Sequence, residues 1–128
     1  MYKRQVDDCE KFVEREIRRG KKYDAVIMDP PSYGRGPSGE VWKLEDNIFD
    51  LVELTSGVMS DRPLFFVLNS YTTGLSPSVM SYILGSILVK RYGGHVYADE
   101  IGLPVMESGM VLPAGNTAVW SRDVLNNF

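Results

Sequence analysis

A chain of 128 residues, 44% hydrophobic and 24% charged, has enough material for one domain with a core of its own. A net charge of −3 argues against a broad basic face, so any nucleic-acid contact must be local or lie on another part of the protein. No apolar run approaches membrane-spanning length and the first residues carry no secretory-leader pattern, while one cysteine and one histidine exclude an internal disulfide and a Cys/His zinc site and fit a reducing cytoplasm.

Met1-Tyr2-Lys3-Arg4-Gln5 matches the translation of a transposon-end adapter used in sequencing libraries. It reads as a scar (residues 1–5), with residues 6–128 as the C-terminal portion of a single domain. Without Lys3 and Arg4 the chain carries 12 basic against 17 acidic residues. Val6 to Glu10 reads as the end of a strand entering a helix, with Asp8 as the cap and Glu10 and Lys11 in the first turn. Phe12, Val13 and Ile17 supply an apolar stripe, Glu14, Arg15, Glu16, Arg18 and Arg19 the wet side, and Gly20 the stop.

After Lys21-Lys22 comes the most informative stretch, Tyr23-Asp24-Ala25-Val26-Ile27-Met28-Asp29-Pro30-Pro31-Ser32-Tyr33. The apolar run Ala25–Met28, bounded by turn formers, predicts a buried central strand, parallel and covered on both faces. The prolines have no N–H to give and end the ladder, so Asp29 stands at the carboxyl end of that strand, where ligands of open α/β sheets bind. Its carboxylate and the carbonyls of the stiff Asp29-Pro30-Pro31 turn accept hydrogen bonds, and Tyr33 offers a flat face for stacking. Gly34, Gly36 and Gly39, with Arg35 between the first two, predict a mobile loop carrying one fixed positive charge.

Leu44, Ile48, Leu51, Val52 and Leu54 repeat at helical spacing as far as about Val58, with Trp42 and Phe49 as core or helix-docking residues. Leu64–Leu68 predicts a second strand, and Asn69-Ser70-Tyr71 at its carboxyl end would share a crevice floor with Asp29. Ser76 then caps a helix with Pro77 at its first position. Val79, Met80, Ile83, Leu84, Ile87 and Leu88 form its apolar stripe, and Gly93-Gly94 ends it. His95–Ile101 and Asn116–Ser121 read as strands joined by a loop over residues 102–115, hence an antiparallel hairpin. His95, at a strand start, reads as a surface residue.

Asp29-Pro30-Pro31-Ser32-Tyr33 resembles motif IV of class I S-adenosylmethionine-dependent methyltransferases. With Gly34-Arg35-Gly36 and Gly39-Glu40-Val41-Trp42, the run is similar to the group around bacterial 23S ribosomal RNA large-subunit methyltransferases I and K, although Ser32 here separates the second proline from the aromatic. The resemblance implies an α/β fold, the C-terminal part of a Rossmann-like methyltransferase sheet with a terminal antiparallel hairpin and its N-terminal strands missing. It implies S-adenosyl-L-methionine as cofactor, with Asp8, Cys9 and Asp29 toward it, Asp8 (or alternatively Asp7) and the Cys9 N–H at the adenine. Asp29, Pro30, Pro31 and Tyr33 would be catalytic, and Tyr33, Arg35, Asn69, Ser70 and Tyr71 would meet the substrate, expected to be ribosomal RNA. No metal, membrane or further cofactor is implied. The family's glycine-rich first loop, which holds the methionine part of the cofactor, has no counterpart in these residues, and the resemblance puts it upstream of Val6.

Methylation at a pyrimidine carbon such as cytosine C5 usually needs a covalent cysteine, and the lone Cys9 matches the adenine region instead. A nitrogen acceptor on an RNA base, flipped out if it lies in a duplex, is therefore expected. The rival reading is a non-catalytic α/β module that binds a nucleotide or a partner.

Overall fold

Residues 6–30, 33–35, 41–71, 74–104 and 111–123 are described by the computed structural model of the chain. Helix α1 (Val6–Arg18) leads into strand β1 (Ala25–Met28), then a ribbon of β2 (Tyr33–Arg35) and β3 (Val41–Lys43), helix α2 (Leu44–Ser56) and strand β4 (Phe65–Ser70). Helix α3 (Pro77–Leu84) continues through a π turn (Gly85–Val89) into the short α4 (Lys90–Tyr92), and β5 (His95–Pro104) and β6 (Val111–Ser121) complete the chain.

The main sheet has the order β1-β4-β6-β5. β1 and β4 are parallel, in register from Ala25↔Phe65 to Met28↔Leu68, and the crossover between them carries α2. β6 is antiparallel to both β4 and β5, which gives the expected terminal hairpin. The observed architecture is thus the mixed α/β sheet expected from the sequence.

Alternation along β4 decides where the core lies. Phe66 and Leu68 are fully buried and point at α2 and α3, whereas Phe65, Val67 and Asn69 on the opposite face are only half-buried. Leu44, Ile48 and Val52 of α2, Met80, Ile83 and Leu84 of α3, Leu88 from the π turn, and Ala118 and Trp120 of β6 close the same core. Burial of each large apolar side chain in it contributes roughly 1.5–3 kcal/mol. Ser76 caps α3 by accepting from the Val79 N–H at 3.3 Å, with Pro77 behind it as expected. Gly93 caps the end of this helical stretch, and at Gly94 behind it (φ +87°) a Cβ would meet the Ser121 carbonyl at 2.5 Å. Only glycine lets the chain turn so close to β6.

Several sequence expectations are corrected. β1 stands at an edge of the described sheet, consistent with a sheet lacking its N-terminal strands, but it is not covered on both faces, since Ile27 is 70% exposed. A short apolar run has no way to signal which neighbours exist to cover it. α1 begins at Val6, so Asp8 sits inside the first turn instead of capping it, and no strand end precedes it among the described residues. An acid in a first turn still interacts favourably with the helix dipole. Of the expected α1 stripe, Phe12 and Ile17 remain partly exposed, while Glu16, expected to face water, is buried. The reason is Tyr23, whose hydroxyl donates to Glu16 Oε1 at 2.6 Å, with Arg19 standing 3.7 Å from Oε2.

Phe49 and Val79 face outward at 42% and 43% exposure, because each lies beside rather than on the arc that meets the sheet. The region expected as a long loop is largely strand. β5 runs on to Pro104 and β6 starts at Val111, with a register shift between Ile101 and Gly102. Pro104 and Pro113 are tolerated because β5 is an edge strand and β6 pairs with β4 only from Asn116 onward, leaving one flank of its first residues free of ladder bonds. The glycine segment after Asp29 is likewise not simply a loop, since Tyr33–Arg35 pairs with Val41–Lys43. No described helix is long and apolar enough to cross a membrane.

Candidate functional site

Two strand ends define the site. β1 and β4 run side by side with Met28 opposite Leu68, so the next residues, Asp29 and Asn69, emerge together at the carboxyl end of the parallel pair. Asp29 is exposed and Pro30 behind it is buried, so the carboxylate stands on a stiff turn anchored in the protein. Asn69 is half-buried opposite Thr117 of β6, Ser70 is fully buried opposite Asn116, and Tyr71 is 56% exposed at the rim. The backbones of Asp29 and Asn69 therefore leave the parallel pair side by side, and the space beyond these two strand ends is the candidate crevice.

The ribbon β2–β3 follows Asp29-Pro30 directly and feeds α2. It places the backbone of Tyr33 opposite Lys43 and of Arg35 opposite Val41, on the segment that leaves the crevice floor. Pro31 and Ser32 lie outside the described residues.

Asp8 and Cys9 belong to the first turns of α1. Near the C-terminal end of that helix, Ile17 Cδ1 packs so closely on Gly57, just past α2, that a Cβ there would stand 3.0 Å away. Below it the Tyr23 N–H donates to Val58 O at 2.7 Å and Ser60 N to Tyr23 O at 2.9 Å. Both helices thus end together at the amino end of β1. Among the described residues no cluster of three or more His, Cys, Asp or Glu side chains is placed to hold a metal ion.

Tyr23 is held above its usual range, first by donating to the Glu16 carboxylate, then by burial and by the Glu16 charge, against an opposing effect of Arg19.

Two residues that sequence reasoning left without a role stand beside the crevice. Gly115 of β6 (φ +144°) lies so close to Ser70 and Tyr71 that a Cβ on it would sit 2.7 Å from the Ser70 carbonyl oxygen and 2.7 Å from Tyr71 Cδ1. Asn116 Nδ2 donates to the Leu75 carbonyl at 2.6 Å.

Comparison with solved structures follows from this architecture. Over 89% of its length the chain superposes on a crystal structure described as the SAM-dependent methyltransferase from Agrobacterium tumefaciens, with 30% sequence identity and a TM-score of 0.77. The chain has a Rossmann-like methyltransferase fold. A second structure, SMU.776, described as a methyltransferase complexed with SAH, matches 86% of the chain at 17% identity with a TM-score of 0.55 and supports the same methyltransferase fold. The chain spans 38% of the length of the Agrobacterium protein and 29% of SMU.776. No family model and no curated protein sequence matches it.

Proposed function

We propose that these residues form the acceptor-side part of an S-adenosylmethionine-dependent methyltransferase that methylates a nitrogen of an RNA base, with ribosomal RNA as the substrate. The observation that carries this reading is the emergence of Asp29 and Asn69 side by side at the carboxyl end of the β1–β4 pair. The likeness to the Agrobacterium SAM-dependent methyltransferase supports the cofactor.

The chemistry of the donors present fits that cofactor in part. Carboxylates suit the exocyclic amine and hydroxyls of an adenosyl group, so Asp8 and Asp29, with the Cys9 backbone, would hold its adenosyl side. When bound, S-adenosylmethionine supplies a methyl group on a sulfonium, open to in-line displacement. The chain's own residues do the positioning, an effect that supplies ~7–11 kcal/mol of barrier reduction in well-oriented systems. Asn69 and the carbonyls of the Asp29-Pro30 turn orient the acceptor amine, with Tyr33, Arg35, Ser70 and Tyr71 shaping its surroundings. Once the N–C bond has formed the nitrogen must give up a proton, and the exposed Asp29 carboxylate is placed to take it.

The test uses the whole protein that contains these residues, given ribosomal RNA and labelled S-adenosylmethionine, with the modified nucleoside identified by mass spectrometry. An N-methylated base, lost in Asp29→Asn, is the expected result. A 5-methylcytosine product would overturn the nitrogen assignment, and no RNA product would overturn the substrate class. The 128 residues alone are expected to bind S-adenosylmethionine negligibly, and micromolar binding by calorimetry would contradict this.

A further inference from the structure

We propose that Gly115 and Asn116 of β6 are positioning residues for Tyr71, and that Tyr71 is the stacking platform for a planar base entering the crevice beside Asn69 and Asp29. This inference rests on the reading of the crevice as an acceptor site and names a part of it that strand-end logic alone does not.

Tyr71 leaves β4 immediately after the buried Ser70, and more than half of its surface is open, at 56% exposure. An aromatic ring this exposed at a rim is usually free to swing away. Here one edge is wedged. The Gly115 backbone occupies the space under the ring, and even a methyl group there would come within 2.7 Å of Cδ1 and 3.1 Å of Cε1.

The far end of the same connection is tied by the next residue. Asn116 donates its side-chain amide to the Leu75 carbonyl at 2.6 Å, and Leu75 itself is buried at 1% exposure. Asn116 is in turn held in the sheet between Ser70 of β4 and Glu100 of β5. One dipeptide of β6 thus supports Tyr71 and fastens Leu75, the described residues on either side of the β4–α3 connection. A ring fixed in place but left open to solvent loses little freedom on stacking, so it binds a planar base more tightly than a mobile one would.

The experiment titrates cytidine, a nucleoside whose planar base carries an exocyclic amine, into the isotope-labelled whole protein that contains these residues and follows the Tyr71 ring by NMR. Saturable shifts at Tyr71 are expected. Tyr71→Ala should weaken binding about 5- to 150-fold, the range of base–aromatic stacking, while Tyr71→Phe stays within about twofold. Gly115→Ala and Asn116→Ala should each weaken it about fivefold or more with Tyr71 still present. Ser76→Ala, which removes a hydrogen bond at the end of the same connection, serves as the comparator and should leave cytidine affinity unchanged.

Wild-type shifts that bypass Tyr71, or folded Tyr71→Ala binding like wild type, would overturn the platform. Gly115→Ala and Asn116→Ala binding like wild type, or Ser76→Ala losing affinity in parallel with them, would overturn the positioning role. Loss of methyl transfer as the activity would leave these affinities untouched, so the two readings fail separately.

Discussion

Replacing Trp120 by phenylalanine tests whether the terminal hairpin holds the molecule together. Trp120 is fully buried, stands opposite Phe66 on one side and Val96 on the other, and tilts against Tyr92 with ring centroids 5.7 Å apart. Its indole N–H donates to the Gly93 carbonyl at 2.8 Å, tying β6 to the end of the preceding helix. Phenylalanine removes that donor and leaves a void of roughly 40 Å³, which at about 24 cal/mol per Å³ costs ~1 kcal/mol. Gly93 is exposed, so water can replace the indole, and the hydrogen bond adds only ~1 kcal/mol. The sum is about 2 kcal/mol. With an unfolding entropy of about 2.1 cal/mol/K per residue over 128 residues, Tm falls by about 7 °C. Urea unfolding followed by far-ultraviolet circular dichroism avoids dependence on the deleted fluorophore. A variant within about 0.5 kcal/mol of wild type would refute the claim that Trp120 links the helix end to the sheet.

Further outcomes follow from the same geometry. Gly94→Ala meets both a left-handed backbone and a carbonyl at 2.5 Å, whereas Gly20→Ala meets only the backbone strain of φ +72°, so thermal denaturation should show ~1–2 kcal/mol lost at Gly20 and distinctly more at Gly94. Ser76→Ala deletes the α3 cap and should lower stability by ~1 kcal/mol in urea titration. Tyr23 titrates above its ordinary 10.0 in the folded chain, so its contribution is complete below that pH and is lost as pH rises through the folded value. Stability measured across the alkaline range should therefore fall less steeply in Tyr23→Phe. Ile27→Lys should reduce self-association in light scattering without lowering Tm, because the side chain is 70% exposed on the edge strand β1.

Much of this molecule follows from local chemistry. The apolar run Ala25–Met28 became a strand that stops before prolines unable to extend a ladder, the apolar residues Phe65–Leu68 became the first part of β4, and Ser76-Pro77 began a helix because one side chain caps it and one ring presets it. For the same reason Asp29 and Asn69 could be assigned to strand ends before any contact was known. Their emergence side by side needed only the parallel pairing that a crossover helix permits.

Other features depend on contacts between segments far apart in the chain. Glu16 reads as one more wet-side acid until Tyr23 folds onto it, and Phe49 reads as core until α2 is rotated against the sheet. Gly115 and Asn116 carry no local signature of a site. Their place beneath Tyr71 and against Leu75 arises only when β6 pairs with β4 across more than forty residues of intervening chain. Sequence alone determined where β1 ends and where α3 starts, because prolines and capping act within a few residues. Tertiary structure alone decided which strand lies at the edge, which face stays open and what supports the crevice, because those depend on neighbours that no local pattern names.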